Sequence, residues 1–200
     1  MQNDAVRSSD EEIVRQVLGG NVNAFESVIL RHRVLVLRIV KKHVPEGAVE
    51  ETAQEAFVRA YQALPTFKGT GAFSQWLSSI VVRTCYDYWR KAYRSREIPI
   101  SALTERHSEW LEEVISQWPE EAPDERESHI EAREILSWAL GKLSAGDRMV
   151  LELVYLEGCS VQEAAELLGW SKANVKVRSF RARMKLEKLL SKVKEQGRGR

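Results

Sequence analysis

The stretch Ser160-Val-Gln-Glu-Ala-Ala-Glu-Leu-Leu-Gly169-Trp-Ser171, followed by Lys172-Ala-Asn-Val-Lys-Val-Arg-Ser-Phe-Arg-Ala-Arg183, has the grammar of a helix-turn-helix. Ser160 is placed to cap a helix whose Ala164, Ala165 and Leu168 are small or apolar enough to admit a second helix closely. Gly169 supplies a tight turn, and Ser171 caps the second helix. On that helix Val175, Ser179, Ala182, Leu186, Leu189 and Val193 recur at alternating steps of 4 and 3, a packing stripe with one polar member. Asn174, Arg178, Arg181, Lys185, Lys188 and Lys192 repeat the same steps as a cationic stripe. A major groove admits such a helix, its flanking phosphates reward the cations through counterion release, and the early residues reach base edges. Lys and Arg runs commonly do no more than solubilise a surface helix. Here a capped turn and a cationic stripe coincide, which favours duplex DNA. Phe180 reads either as a packing residue or as a contact to thymine methyl groups.

Outward from this motif, composition bounds the rest. The 200 residues are 44% hydrophobic and 30% charged, an ordered chain long enough for two small helical units. A net charge of +1 conceals an uneven distribution: residues 172–200 hold 11 Lys or Arg against 2 Glu, whereas 100–128 hold 9 acids against 2 Arg. The opening segment is polar and acidic without an apolar signal core, and no later run approaches the roughly 18–20 apolar residues of a membrane span, so the chain is expected in the cytoplasm. Cys85 and Cys159 are far apart and predict neither a disulfide framework nor a zinc pair, only reduced core or half-buried thiols. His32, His43, His107 and His129 lack metal-ligand spacing and read as packed or solvated histidines. No cofactor or metal is expected.

The N-terminal half reads as four helices. Ser9 and Glu12 have capping-box spacing ahead of Ile13, Val14, Val17 and Leu18, and Gly19-Gly20-Asn21 ends that first helix. A long second helix runs through Phe25, Val28, Ile29, His32, Leu35, Val36, Ile39 and Val40 to Val44-Pro45. A third spans about Ala48 to Leu64 with the packing stripe Ala53, Phe57, Ala60 and Leu64. Its Glu51, Gln54, Glu55 and Arg59 lie largely outside that stripe, as a solvated acidic face or as a docking face for a basic partner. The fourth helix, about Gly71 to Tyr93, carries Phe73, Trp76, Leu77, Ile80, Thr84 and Trp89 on one side and Arg83, Asp87, Arg90 and Arg94 on another, with Tyr86, Tyr88 and Tyr93 interleaved. Two readings stay open for it: a buried aromatic core with ordinary surface arginines, or stacking platforms and guanidinium groups for single-stranded nucleic acid. Residues 97–128 read as an acidic linker with a helical stretch near Ser108 to Trp118, and helical periodicity returns from about Ser128.

Three stretches now carry a resemblance: Glu50-Glu-Thr-Ala-Gln-Glu-Ala-Phe-Val-Arg-Ala-Tyr61; Phe67-Lys-Gly-Thr-Gly-Ala-Phe-Ser-Gln-Trp-Leu77 continuing to Asp87-Tyr-Trp-Arg90; and Glu157-Gly-Cys-Ser-Val-Gln-Glu-Ala-Ala165 through Val175-Lys-Val-Arg-Ser-Phe-Arg-Ala-Arg183. In this order and spacing they resemble the extracytoplasmic-function (ECF) sigma factors of the sigma-70 superfamily. The resemblance implies an all-α fold of two small helical domains joined by an acidic linker. Residues 1–96 would be sigma domain 2, a helical bundle, 97–128 a flexible linker, and 129–200 sigma domain 4 with its helix-turn-helix.

By the same resemblance, Glu51, Gln54 and Glu55 fall at positions that dock on the β′ subunit of core RNA polymerase, which with β is the implied partner. Lys68, Phe73, Ser74, Trp76, Arg83 and Arg90 fall on the loop and helix that capture a flipped minus-10 base and hold the melted strand, where extrusion costs a few kcal/mol that a shaped pocket must offset. Lys176, Val177, Phe180 and Arg181 match positions that read or flank the minus-35 element of promoter DNA, with Arg178 a phosphate contact. An anti-sigma factor and a role in stress response are also implied. Arg83 departs from the family's usual Asn, and Val177 and Ser179 replace the commoner Ser and Leu.

The residues themselves supply no nucleophile–base constellation and no phosphate-binding glycine loop, so a non-enzyme is expected. The alternative is a stand-alone helix-turn-helix transcriptional activator, which leaves the aromatic fourth helix and the Glu51–Glu55 face unexplained. A third class is a helical interaction protein whose basic tail is only solvated.

Overall fold

The structure, a computed structural model, describes residues 9–69, 72–95 and 134–197. The expected linker, its helical stretch near 108–118 and Thr70–Gly71 lie outside the described residues.

Ser9 caps α1 (Asp10–Leu18) with both bonds of a capping box, its Oγ accepting from the Glu12 N–H and the Glu12 carboxylate accepting from the Ser9 N–H. Ile13, Val14 and Val17 are its buried residues. α2 (Phe25–His43) buries Phe25, Val28, His32, Val36, Val40 and His43 along one side. Val44, ahead of Pro45, is extended at φ −130° and ψ 154°, because proline disfavours helical geometry in its predecessor, and α2 stops there. α3 (Val49–Ala63) buries Thr52 and the small residues Ala53, Ala56 and Ala60, whose lack of bulk lets α2 and α4 approach. Phe57, expected in that stripe, is only half-buried, and Pro65 lies in the 3-10 turn Leu64–Thr66 that ends the helix.

α4 (Phe73–Ser95) is the longest helix of this half. Its Leu77, Val81, Cys85 and Trp89, one every four residues, are wholly buried. The indole N–H of Trp89 donates to the His43 carbonyl at 2.7 Å, satisfying one of the terminal acceptors of α2.

The C-terminal half comprises α5 (134–141), α6 (Ala145–Leu151) continued by the π-helical turn Glu152–Leu156, α7 (Val161–Leu168) and α8 (Lys172–Gly197). Ser144 caps α6 by accepting from the Asp147 N–H. The all-α expectation holds, with no strand among the described residues. None of the described helices is long and apolar enough to cross a membrane.

The two halves do not stand apart. Their buried side chains form one continuous cluster, with α4 packed against both α6 and α7.

Candidate nucleic-acid interface

The helix-turn-helix forms as its residues dictate. Ser160 and Glu163 complete a capping box at the start of α7, and Gly169 ends it in the left-handed conformation at φ 69° and ψ 32°. Ser171 Oγ then accepts from the Asn174 N–H to start α8. Val175, Ser179 and Ala182 are buried and Leu186 and Leu189 half-buried, so the predicted packing stripe points inward as far as Leu189, the Val193 side chain lying outside what the structure describes.

The opposite side of α8 is open. Lys176 and Arg181 are exposed, as are Val177 at 49% and Phe180 at 60% of full accessibility. An exposed aromatic among cations, on a helix anchored by its far side, is suited to base edges and thymine methyl groups. Met184 extends this apolar strip by one further step of four and is also exposed, a continuation that the spacing of Val177 and Phe180 could have flagged. Arg178 behaves differently from Arg181. Its guanidinium reaches Asp147 at 3.3 Å and lies 5.2 Å from the centre of the Trp170 ring. Gly146 makes room for it, since a Cβ there would run into the Arg178 Nη1. Arg178 is thus held in place by its own domain, at the edge of this exposed surface.

In the N-terminal half the six minus-10 candidates separate. Phe73 is only 2% exposed and packs among Phe67, Trp76 and His32, with ring centres 5.1–5.2 Å away. The core reading therefore describes this residue: it anchors the start of α4 and has no free face for a base. Trp76 and Ser74 are half-buried beside it, and Lys68 is exposed on the preceding loop. Arg90 is exposed, with its Nη2 3.1 Å from the Asp87 Oδ1. Arg83 donates to two backbone carbonyls of α7, Leu167 through Nε and Glu166 through Nη2, both at 3.2 Å.

Glu51, Gln54 and Glu55 are exposed on α3 and line an open depression together with Arg59, Asp87 and Lys91. Arg59 fixes its floor by pairing with Glu55 at 2.7 Å and Asp87 at 2.6 Å, tying α3 to α4. These three candidates share one face of α3.

Between the halves lies a buried ionic cluster. His43, at the end of α2, sets Nδ1 3.0 Å from Glu152 and Nε2 3.1 Å from Glu157. Arg148 is wholly buried, pairs with Glu152 at 2.8 Å and places its guanidinium 3.7 Å from the centre of the Trp89 ring. Burial alone would favour neutral imidazole, but hydrogen bonds to Glu152 and Glu157 outweigh it and lift the His43 pKa to about 9. Burial likewise raises Glu157, but its hydrogen bond to His43 more than offsets this and holds the carboxyl below its ordinary value. A protonated His43 also complements the negative end of α2.

Residues 28–95 match the family Sigma-70 region 2, and residues 133–186 match Sigma-70, region 4. The chain is 31% identical over 175 residues to the ECF RNA polymerase sigma-E factor of Escherichia coli (strain K12), a match covering 88% of this chain and 91% of that one. It is 28% identical over 185 residues to the RNA polymerase sigma-H factor of Pseudomonas aeruginosa, covering 92% and 95%. The solved structure of CnrH in complex with the cytosolic domain of CnrY is 29% identical and matches 92% of this chain and 98% of that chain, with a TM-score of 0.49.

Proposed function

Because the chain belongs to the ECF RNA polymerase sigma factors, and so serves as a promoter-specificity subunit, we propose how its parts divide that work. Residues 1–96 act as sigma domain 2, residues 97–128 as a linker and residues 129–200 as sigma domain 4. Glu51, Gln54 and Glu55 dock on the β′ subunit of core polymerase, with β the second contact. Lys176, Val177, Phe180 and Arg181 read the minus-35 duplex, and Arg178, steered by Asp147, grips its phosphates. Lys68, Ser74, Trp76, Arg83 and Arg90 serve the melted minus-10 strand, while Phe73 supports them from within the core. Catalysis belongs to the polymerase, so the chain itself is not an enzyme, and it works in the cytoplasm. A restraining anti-sigma factor completes the reading.

The observation that carries this reading is the α8 surface: exposed Lys176, Val177, Phe180 and Arg181 on a helix capped by Ser171 and anchored by buried Val175, Ser179 and Ala182. Footprinting on a promoter tests it. Core polymerase with this chain should protect the minus-35 duplex and make minus-10 thymines reactive to permanganate, whereas core alone should do neither. Protection without strand opening would contradict the minus-10 assignment.

A further inference from the structure

Arg83, Tyr86, Trp89 and Tyr93 succeed one another along α4 at steps of three and four, and every one of them is engaged by the C-terminal half. Arg83 forks onto the carbonyls of Glu166 and Leu167. Tyr86 meets Trp170 edge-on with ring centres 5.6 Å apart. Trp89 lies under the Arg148 guanidinium, and the Tyr93 hydroxyl donates to the Leu140 carbonyl at 3.0 Å.

The chemistry of the first two contacts is that of a nucleic-acid strand. The last carbonyls of α7 carry the negative end of a helix dipole, about half an elementary charge, and present two oxygens to a guanidinium as a phosphate does. Next to them, the Trp170 indole offers Tyr86 an aromatic surface comparable to that of a base. We propose that the α7 C-terminus and Trp170 are an internal mimic of the melted strand, occupying the Arg83–Tyr86 segment of α4 until real strand displaces them. The proposal rests on the reading of α4 as the strand-holding helix.

The mimicry is one-sided. Lys176, Val177, Phe180 and Arg181 remain exposed in the closed chain, so duplex reading is left free while strand capture is blocked. Holding both promoter elements at once requires release. Strand bound along the Arg83–Tyr86 segment must take the places now held by the Glu166 and Leu167 carbonyls and Trp170. The buried cluster of His43, Arg148, Glu152 and Glu157 keeps the mimic seated. Arg83, with donors at both Nε and Nη2, is the residue that makes the two-carbonyl contact possible.

The experiment uses the full chain carrying dyes on cysteines introduced at the exposed Val22 and Tyr155, in a Cys159→Ser background, with a short mixed-sequence single-stranded oligonucleotide as probe. Energy transfer should fall as the strand saturates the wild-type chain, because competing occupants exclude each other reciprocally. Glu157→Gln, which removes a carboxylate facing His43 and none of the proposed DNA contacts, should lower energy transfer without strand, tighten single-strand binding about tenfold or more, and leave minus-35 duplex binding within about twofold. Arg83→Lys keeps the charge but loses the fork onto two carbonyls. It should therefore show lower energy transfer than wild type without strand, a readout that an arginine contacting only the strand would not move. Unchanged energy transfer on strand saturation, or strand-free energy transfer in Arg83→Lys equal to that of wild type, overturns the mimicry. Run-off initiation with core polymerase reports separately on the sigma reading: a wild-type chain that never initiates sinks that reading whatever the energy transfer does.

Discussion

Replacing His43 with Gln removes a cation that bridges Glu152 and Glu157 across the two halves. In the folded chain its pKa is raised from 6.5 to about 9. Protonation is favoured by folding, so the stabilisation is fully present below pH 6.5, declines above it, and is lost as the pH passes about 9. At ~1.4 kcal/mol per pH unit the rise corresponds to about 3 kcal/mol. Glu157 has the opposite sense: its lowered pKa contributes stability above the ordinary 4.5 that is lost only as the pH falls through the lowered value. Both contributions are complete between pH 4.5 and 6.5. The groups facing His43 are Glu152 and Glu157, with Lys42 nearby and Arg148 paired to Glu152. Urea denaturation of wild type and His43→Gln across pH 6 to 10 follows the histidine together with Glu157, whose pKa His43 holds down. Wild type should lose about 3 kcal/mol relative to the variant over that range. Curves that stay parallel within about 0.5 kcal/mol would refute a buried imidazolium, and with it the electrostatic account of the interface.

Three further outcomes are expected. Arg181→Ala should weaken minus-35 duplex binding by about 1–3 kcal/mol and leave core affinity unchanged, checked by fluorescence anisotropy with duplex and with labelled core. Changing Gln54 and Glu55 together to Ala should do the reverse in the same two assays, and equal loss of both activities would point to misfolding. Gly169→Ala forces a side chain into a left-handed turn and brings its Cβ to 3.2 Å from the Arg83 guanidinium, so the thermal midpoint should fall by an amount equivalent to about 1 kcal/mol or more.

The helix-turn-helix was legible because its determinants are local. Ser160 with Glu163, Gly169, Ser171 and the alternating steps along α8 each act within a few residues, and each appears where the spacing places it. α4 was half legible. Its period located the buried side, yet could not tell that Phe73 is sealed into the core while Trp76, three residues on, stays half-exposed, because that depends on Phe67 and His32 from other elements. The ionic cluster was not legible. His43 and Glu152 are 109 residues apart, and His43 after Lys41-Lys42 reads as an ordinary basic helix end. The one local hint was Arg148 and Glu152 at i and i+4 flanking Met149-Val150-Leu151, a charged pair embedded in an apolar run. Arg83 stands out in the sequence only as a departure from its family. Its partners belong to the far half of the chain, so no local pattern could name them.

The most direct test is run-off transcription from a genomic promoter library with purified core polymerase. With this chain added, core should initiate at a discrete set of promoters that share minus-35 and minus-10 elements, and without it those promoters should be silent. If core and this chain together initiate at no promoter in the library, the chain does not act as a sigma factor.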